Sequence, residues 1–233
     1  MISHHHKCIF IHIPKVAGQS IEHVFLDALG LTWETRAPLL LRPNDQPSLG
    51  PPRLAHLKAA EYVRCRYVPQ DMYDSYFTFS FVRNPWSRMV SLYRYLGYEG
   101  KFEFNSFIKN EFRNIVFQEM SWFVCPQSEY LYNEAGELIV DYVGRFEDLQ
   151  GGFDEVCENI GMAPILLPHV NASPAQTPAV TTQSQQVTYS FSIGGNEVPT
   201  ARPSWRDYYD DGAINVIAEL YRRDIELFGY QFR

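Results

Sequence analysis

Cys8-Ile-Phe-Ile-His-Ile-Pro-Lys-Val-Ala-Gly-Gln-Ser-Ile21 decides how this chain is read. Its first six residues are a continuous apolar, β-branched run, the pattern of a strand buried on both faces. Pro14 breaks the run, and Lys15 to Ser20 suit a tight loop. Beyond it Ile21, Val24, Phe25, Ala28 and Leu29 recur at helical spacing and stop at Gly30. A strand, a short loop and a helix bring backbone N–H groups and a helix dipole to one point, where an anion binds. Ala17, Gly18 and Ser20 let a phosphate approach the backbone, and Lys15 adds a point charge. The order differs from the Gly-x-x-x-x-Gly-Lys-Ser/Thr loop of NTPases, because the lysine precedes the glycine and no hydroxyl follows Lys15 to hold magnesium. The same residues also suit a plain strand-to-helix turn with an exposed lysine.

A second unit of the same kind lies downstream. Tyr76-Phe-Thr-Phe-Ser-Phe-Val82 reads as a strand, stopped by Arg83-Asn-Pro85, with a helix from about Trp86 through Tyr95. Arg83 leaves the carboxyl end of that strand, where open α/β sheets bind ligands. Ser91 follows eight residues later, about two helical turns on. A guanidinium and a hydroxyl there could grip one tetrahedral anion, or Arg83 could cap carbonyls and Ser91 be a plain helix-face serine. Helical patterns follow around Phe102–Arg113 and Val116–Phe123. Tyr142–Phe146 reads as a further strand, Phe153–Ile160 as the next helix, and about Gly212 to Phe228 as the last. Strands separated by helices predict a single α/β domain over 1–233, with a central, mainly parallel sheet flanked by helices. Residues 36–52 hold five prolines and read as a surface connection. Residues 159–196 contain no Asp, Glu, Lys or Arg, and 172–205 read as a loop or hairpin insertion, with alternation at Val187–Ile193.

The net charge is −7, which argues against a nucleic-acid partner. Its distribution is uneven: residues 51–101 hold eight Lys/Arg against four acids, and residues 102–163 hold three against twelve. The basic excess surrounds one segment and points to a small anion rather than a polymer. No apolar run approaches the roughly 20 residues of a membrane span, and no secretory signal is evident, so a cytoplasmic protein without a membrane partner is expected. Cys8, Cys65, Cys125 and Cys157 lie far apart and read as scattered buried thiols. His4-His-His6 reads as a solvated terminus rather than a metal site, and no metal is called for.

The Lys15 loop and the Arg83–Ser91 segment together resemble the sulfotransferases that use 3′-phosphoadenosine 5′-phosphosulfate (PAPS), specifically the carbohydrate branch related to heparan sulfate 2-O-sulfotransferases and their bacterial relatives. Six further segments agree in the family's order: Ala55-His-Leu-Lys-Ala-Ala-Glu-Tyr62, Asp74-Ser-Tyr-Phe-Thr-Phe-Ser-Phe81, Gly144-Arg-Phe-Glu-Asp-Leu149, Leu167-Pro-His-Val-Asn171, Arg206-Asp-Tyr-Tyr-Asp-Asp211 and Arg223-Asp-Ile-Glu-Leu-Phe-Gly-Tyr230. The resemblance implies a P-loop-like nucleotide-binding sulfotransferase fold. Lys15, Ala17, Gly18, Gln19 and Ser20 would hold the 5′ end of PAPS, and Arg83 and Ser91 its 3′-phosphate. Arg206 would contact the nucleotide where the family closes over it. The chain departs at Val16 and Gln19, where relatives commonly have Thr.

The resemblance also implies a general base, a histidine or a glutamate depending on branch, matched here by His56, with Lys15 stabilising charge on the transferring group. His12, His23 and His169 compete on sequence alone; His12 more naturally orients the loop, and Arg145 and Glu147 read as an internal ion pair. The implied reaction moves the sulfuryl group from PAPS to a hydroxyl of a carbohydrate or other small acceptor, releasing 3′-phosphoadenosine 5′-phosphate (PAP). Two rivals stand beside it: a nucleotide-dependent small-molecule kinase on a similar fold, and a non-catalytic module that binds PAP or a glycan.

Overall fold

The computed structural model describes residues 1–168 and 203–233. Its centre is a four-stranded sheet in the order β1 (Ile2–Ser3), β2 (Cys8–Ile11), β3 (Phe77–Val82), β4 (Tyr142–Arg145). The pairs β2–β3 and β3–β4 are parallel, with Phe10 opposite Phe79 and Ser80 opposite Val143; β1 pairs antiparallel with β2 at the edge. The expected mainly parallel α/β sheet is therefore present, with an antiparallel edge strand that the sequence reading did not contain. All four residues of β2 are buried, as the apolar run demands.

Helices α1 (Gly18–Ala28), α2 (Ala59–Arg64), α3 (Gln70–Ser75), α4 (Pro85–Tyr95), α5 (Leu149–Ile160), α6 (Asp211–Leu220) and α7 (Arg222–Phe228) surround the sheet. The core is aromatic. Phe10, Phe25, Phe79, Phe81, Phe107, Phe112 and Phe153 are fully buried, and Phe79 stacks between Phe10 and Phe77. None of the described helices is long and apolar enough to cross a membrane.

Several boundaries differ from expectation. β2 ends at Ile11, two residues early, because its last carbonyls leave the ladder: Ser80 Oγ donates to Ile11 O at 2.7 Å and His56 Nδ1 to His12 O at 2.9 Å. The last helix is two helices broken at Tyr221, whose hydroxyl donates to Val124 O at 2.6 Å. The helical region after α4 is wound as a π-helix over Phe107–Val116. His4–His6 is the turn joining β1 to β2 rather than a free terminus, with His4 bonded to Tyr76 and His6 to Ser3. The four cysteines are free and buried, as read. His169 and nearly all of the 172–205 insertion, including its hairpin signal, lie outside the described residues.

Candidate functional site

Lys15, Val16 and Ala17 turn the chain from β2 into α1. Lys15 and Ala17 adopt left-handed backbone angles (φ 71° and 64°). Such residues cost of order 1–3 kcal/mol each, and turns of this kind aim backbone N–H groups into an anion-binding concavity. Ala17, at the N-cap position, supplies no side-chain acceptor to the first turn of α1, and Ser20 N–H bonds Ala17 O at 3.0 Å. Gly18 is obligatory for a different reason: a Cβ there would stand 2.1 Å from His12 Nε2. The His12 ring fills the inside of the loop and is fixed by Nδ1 donating to the buried Glu22 carboxylate at 2.6 Å. His12 thus supports the loop, as its position in the strand suggested. Gln19 O accepts from His23 Nδ1 at 2.7 Å, and His23 stacks on Trp33.

Arg83 emerges at the end of β3 and reaches back to the loop. Its Nη1 donates to Lys15 O at 3.2 Å, its Nε to Ser87 Oγ at 2.9 Å, and its guanidinium lies 4.0 Å from the Phe146 ring centroid. The backbone of Arg83 is held on both sides by buried Gln127, which accepts from Arg83 N and donates to Arg83 O. Asn84 caps α4, accepting from Trp86 N and Ser87 N. Lys15 Nζ lies 3.9 Å above the Tyr95 ring.

Neither Lys15 nor Arg83 forms an ion pair within 4 Å among the described residues. Burial and then Arg83's charge pull the Lys15 ammonium down to about 8, and burial pulls Arg83 down to about 10. Two partly desolvated cations side by side are unfavourable alone and favourable with an anion between them.

The sequence reading paired Arg83 with Ser91. The structure pairs it with Ser87, one turn earlier on the same face of α4, and no hydrogen bond joins Arg83 to Ser91 among the described residues. Arg206 is exposed and stacks on its neighbour Trp205, 4.2 Å from that ring. Arg145 and Glu147 do not pair with each other. Arg145 donates to Phe228 O, while Glu147 accepts from Asn84 N at 2.8 Å and Tyr230 OH at 3.0 Å, so both tie the C-terminal segment to the site.

His56 is only 7% exposed. Its Nδ1–H is committed to His12 O, which fixes the tautomer and leaves the lone pair on Nε2. Burial, then the neighbouring His12, hold its pKa well below 6.5, so the ring is neutral near pH 7. It touches the rings of His12, Trp122 and Phe123, and lines a cleft of about 230 Å³ with Lys58, Glu61, Arg64 and Trp122. A series of ring contacts links His56 to the Lys15 loop, which does not itself line the cleft: Lys15 on Tyr95, Tyr95 on Phe123, Phe123 on His56. Arg88, 1% exposed, locks these parts together by donating to Pro14 O, Phe123 O and Cys125 O.

Ser87, Tyr95, Arg88, Gln127, Glu22 and Trp122 were not singled out from the sequence. Ser87 alone is near its partner in sequence, four residues after Arg83 in the first turn of α4.

The sequence matches the model of the Sulfotransferase family over residues 1–231. It is 28% identical over 111 residues to an uncharacterized protein of Archaeoglobus fulgidus, a match covering 46% of this chain and 85% of that protein. No solved structure matches it. With the family's model spanning nearly all of its length, and the strand–loop–helix and Arg83 elements inside that span, this chain belongs to the sulfotransferase family.

Proposed function

We propose that the protein transfers the sulfuryl group of PAPS to an acceptor hydroxyl, with His56 as general base. The observation that carries the reading is the pair of cations, Lys15 and Arg83, partly desolvated and with no ion pair among the described residues, beside a loop of left-handed residues. PAPS is the donor that family membership implies, and these residues fit a ligand with two anionic ends. The Lys15 loop would take the 5′-phosphosulfate as a P-loop-like cradle. Arg83, with Nη2 uncommitted, would take the 3′-phosphate together with Ser87, and Ser91 remains a candidate further along the same face.

In the reaction the acceptor oxygen bonds to sulfur and the bond from sulfur to the 5′-phosphate oxygen breaks. PAP leaves, and the hydroxyl proton passes to His56 Nε2. Lys15 stabilises the charge that grows on the leaving phosphate. A neutral His56 suits this task because its lone pair is available at pH 7. The acceptor is a carbohydrate or another small hydroxylated molecule, and the acting compartment is the cytoplasm.

Thermal stabilisation by PAP, ADP and ATP with magnesium tests the reading on the wild type and on Arg83→Ala. PAP should stabilise most, and the substitution should remove about 1.5–3 kcal/mol of PAP affinity but little of the affinity for a ligand lacking the 3′-phosphate. A preference for ATP–magnesium would favour a kinase. PAP binding without release of PAP from PAPS for any acceptor would favour a non-catalytic module.

A further inference from the structure

The cleft beside His56 differs in character from the Lys15–Arg83 pair. Its lining beyond His56 carries two positive side chains, and each already holds a carboxylate: Lys58 Nζ lies 2.7 Å from Glu129, and Arg64 Nη2 lies 2.8 Å from Glu61. Glu61 is further fixed by accepting from Lys58 N at 2.8 Å, and its side chain is only 13% exposed. Among the residues that line the cleft an anionic acceptor would meet no unpaired cation, Arg53 reaching His56 only from outside the lining, and it would approach the largely buried Glu61 carboxylate, a like-charge contact that disfavours binding.

The rest of the wall is uncharged: Trp122, Pro47, Gly50, Pro51 and Cys65, with the hydroxyl of Ser48. Trp122 is half-buried with its ring 6.0 Å from the His56 ring, and Pro47 and Pro51 belong to the stiff proline-rich connection. An indole face beside the base holds the flat or ring-shaped body of a ligand while its hydroxyl meets Nε2. At about 230 Å³ the cleft lies below the roughly 300–1,000 Å³ of ordinary ligand pockets, so it suits one ring rather than a chain of sugars.

We propose that the acceptor is a small uncharged ring alcohol, a neutral sugar or a phenol, selected by Trp122 and by the charge-neutral Lys58–Glu129 and Arg64–Glu61 pairs. The inference rests on the sulfotransferase reading of His56 and narrows it away from acidic polysaccharides.

Binding to the PAP-loaded protein is measured by ligand-observed NMR with two matched pairs of probes: 4-nitrophenyl β-glucoside against 4-nitrophenyl β-glucuronide, and 4-methylphenol against 4-hydroxyphenylacetate. The neutral member of at least one pair should bind about tenfold or more tighter than its carboxylate partner, and which pair does so tells sugar from phenol. Glu61→Gln should narrow that gap. Trp122→Ala should weaken the neutral probe about fivefold or more, and Trp122→Phe should restore most of it. Carboxylates binding as well as their neutral partners, an unaffected Trp122→Ala, or no binding by any probe would each overturn the proposal. Stabilisation by PAP, dependent on Arg83 and indifferent to Trp122, reports separately on whether the nucleotide reading stands.

Discussion

The Lys15 loop with Arg83, and the cleft beside His56, hold similar charges in opposite states. Lys15 and Arg83 stand partly buried with no carboxylate within ion-pair distance among the described residues, while Lys58 and Arg64 each hold one. Partial burial without a partner costs stability and is offset when an anion arrives. A cation already held by a carboxylate has its charge partly compensated and attracts a second anion less than an unpaired one does. The difference teaches that net local charge is a poor guide to where an anion binds. The basic excess of residues 51–101 includes Arg53, Lys58, Arg64, Arg83 and Arg88, yet of these Arg88 is consumed by three backbone carbonyls and two more by glutamates.

The largest expected effect separates the halves outright. His56→Ala should lower turnover by roughly 10²–10⁴-fold, the range for a positioned general base, while leaving PAP affinity nearly unchanged. Steady-state release of PAP alongside calorimetric binding checks both. Near-normal turnover in the variant would move the base elsewhere and dissolve the division of labour.

The next effect belongs to the anion half. Lys15 is brought down to about 8 by burial and by Arg83, whereas Arg83 at about 10 stays charged across the neutral range. Its charged form is needed for the ligand, so PAP affinity should hold below pH 8 and then fall as the proton leaves Lys15, by at most about tenfold per unit. Lys15→Arg keeps its charge and should remove the fall. A flat profile from pH 7 to 9.5 in the wild type would show that Lys15 does not touch the anion.

The smallest effect sharpens the geometry inside that half. Ser87→Ala removes the acceptor that orients Arg83 Nε and should cost about 0.5–1.5 kcal/mol of PAP affinity. Comparing it with Ser91→Ala by titration ranks the two hydroxyls. A larger loss at Ser91 would restore the pairing that sequence spacing suggested.

The sequence alone determined the element types around the site. The β-branched run at Cys8–Ile13, the aromatic run at Tyr76–Val82 and the helices that follow each are local patterns, set by side-chain period and by breakers such as Pro14 and Pro85. It determined the chemistry on offer as well, because Lys15, Gly18, Arg83 and His56 stand in short motifs whose order carries the family resemblance. Tertiary structure decided everything that depends on distance between segments. It chose Ser87 for Arg83, placed Trp122 beside His56, and gave Arg145 and Glu147 partners in the C-terminal segment, Phe228 O and Tyr230 OH, rather than each other. It also decided that His56 donates to His12 O, 44 residues earlier, and so which ring nitrogen keeps its lone pair. Helical and strand periodicities act over a few residues, whereas burial, tautomer and ion pairing are set by neighbours that only the folded chain brings together.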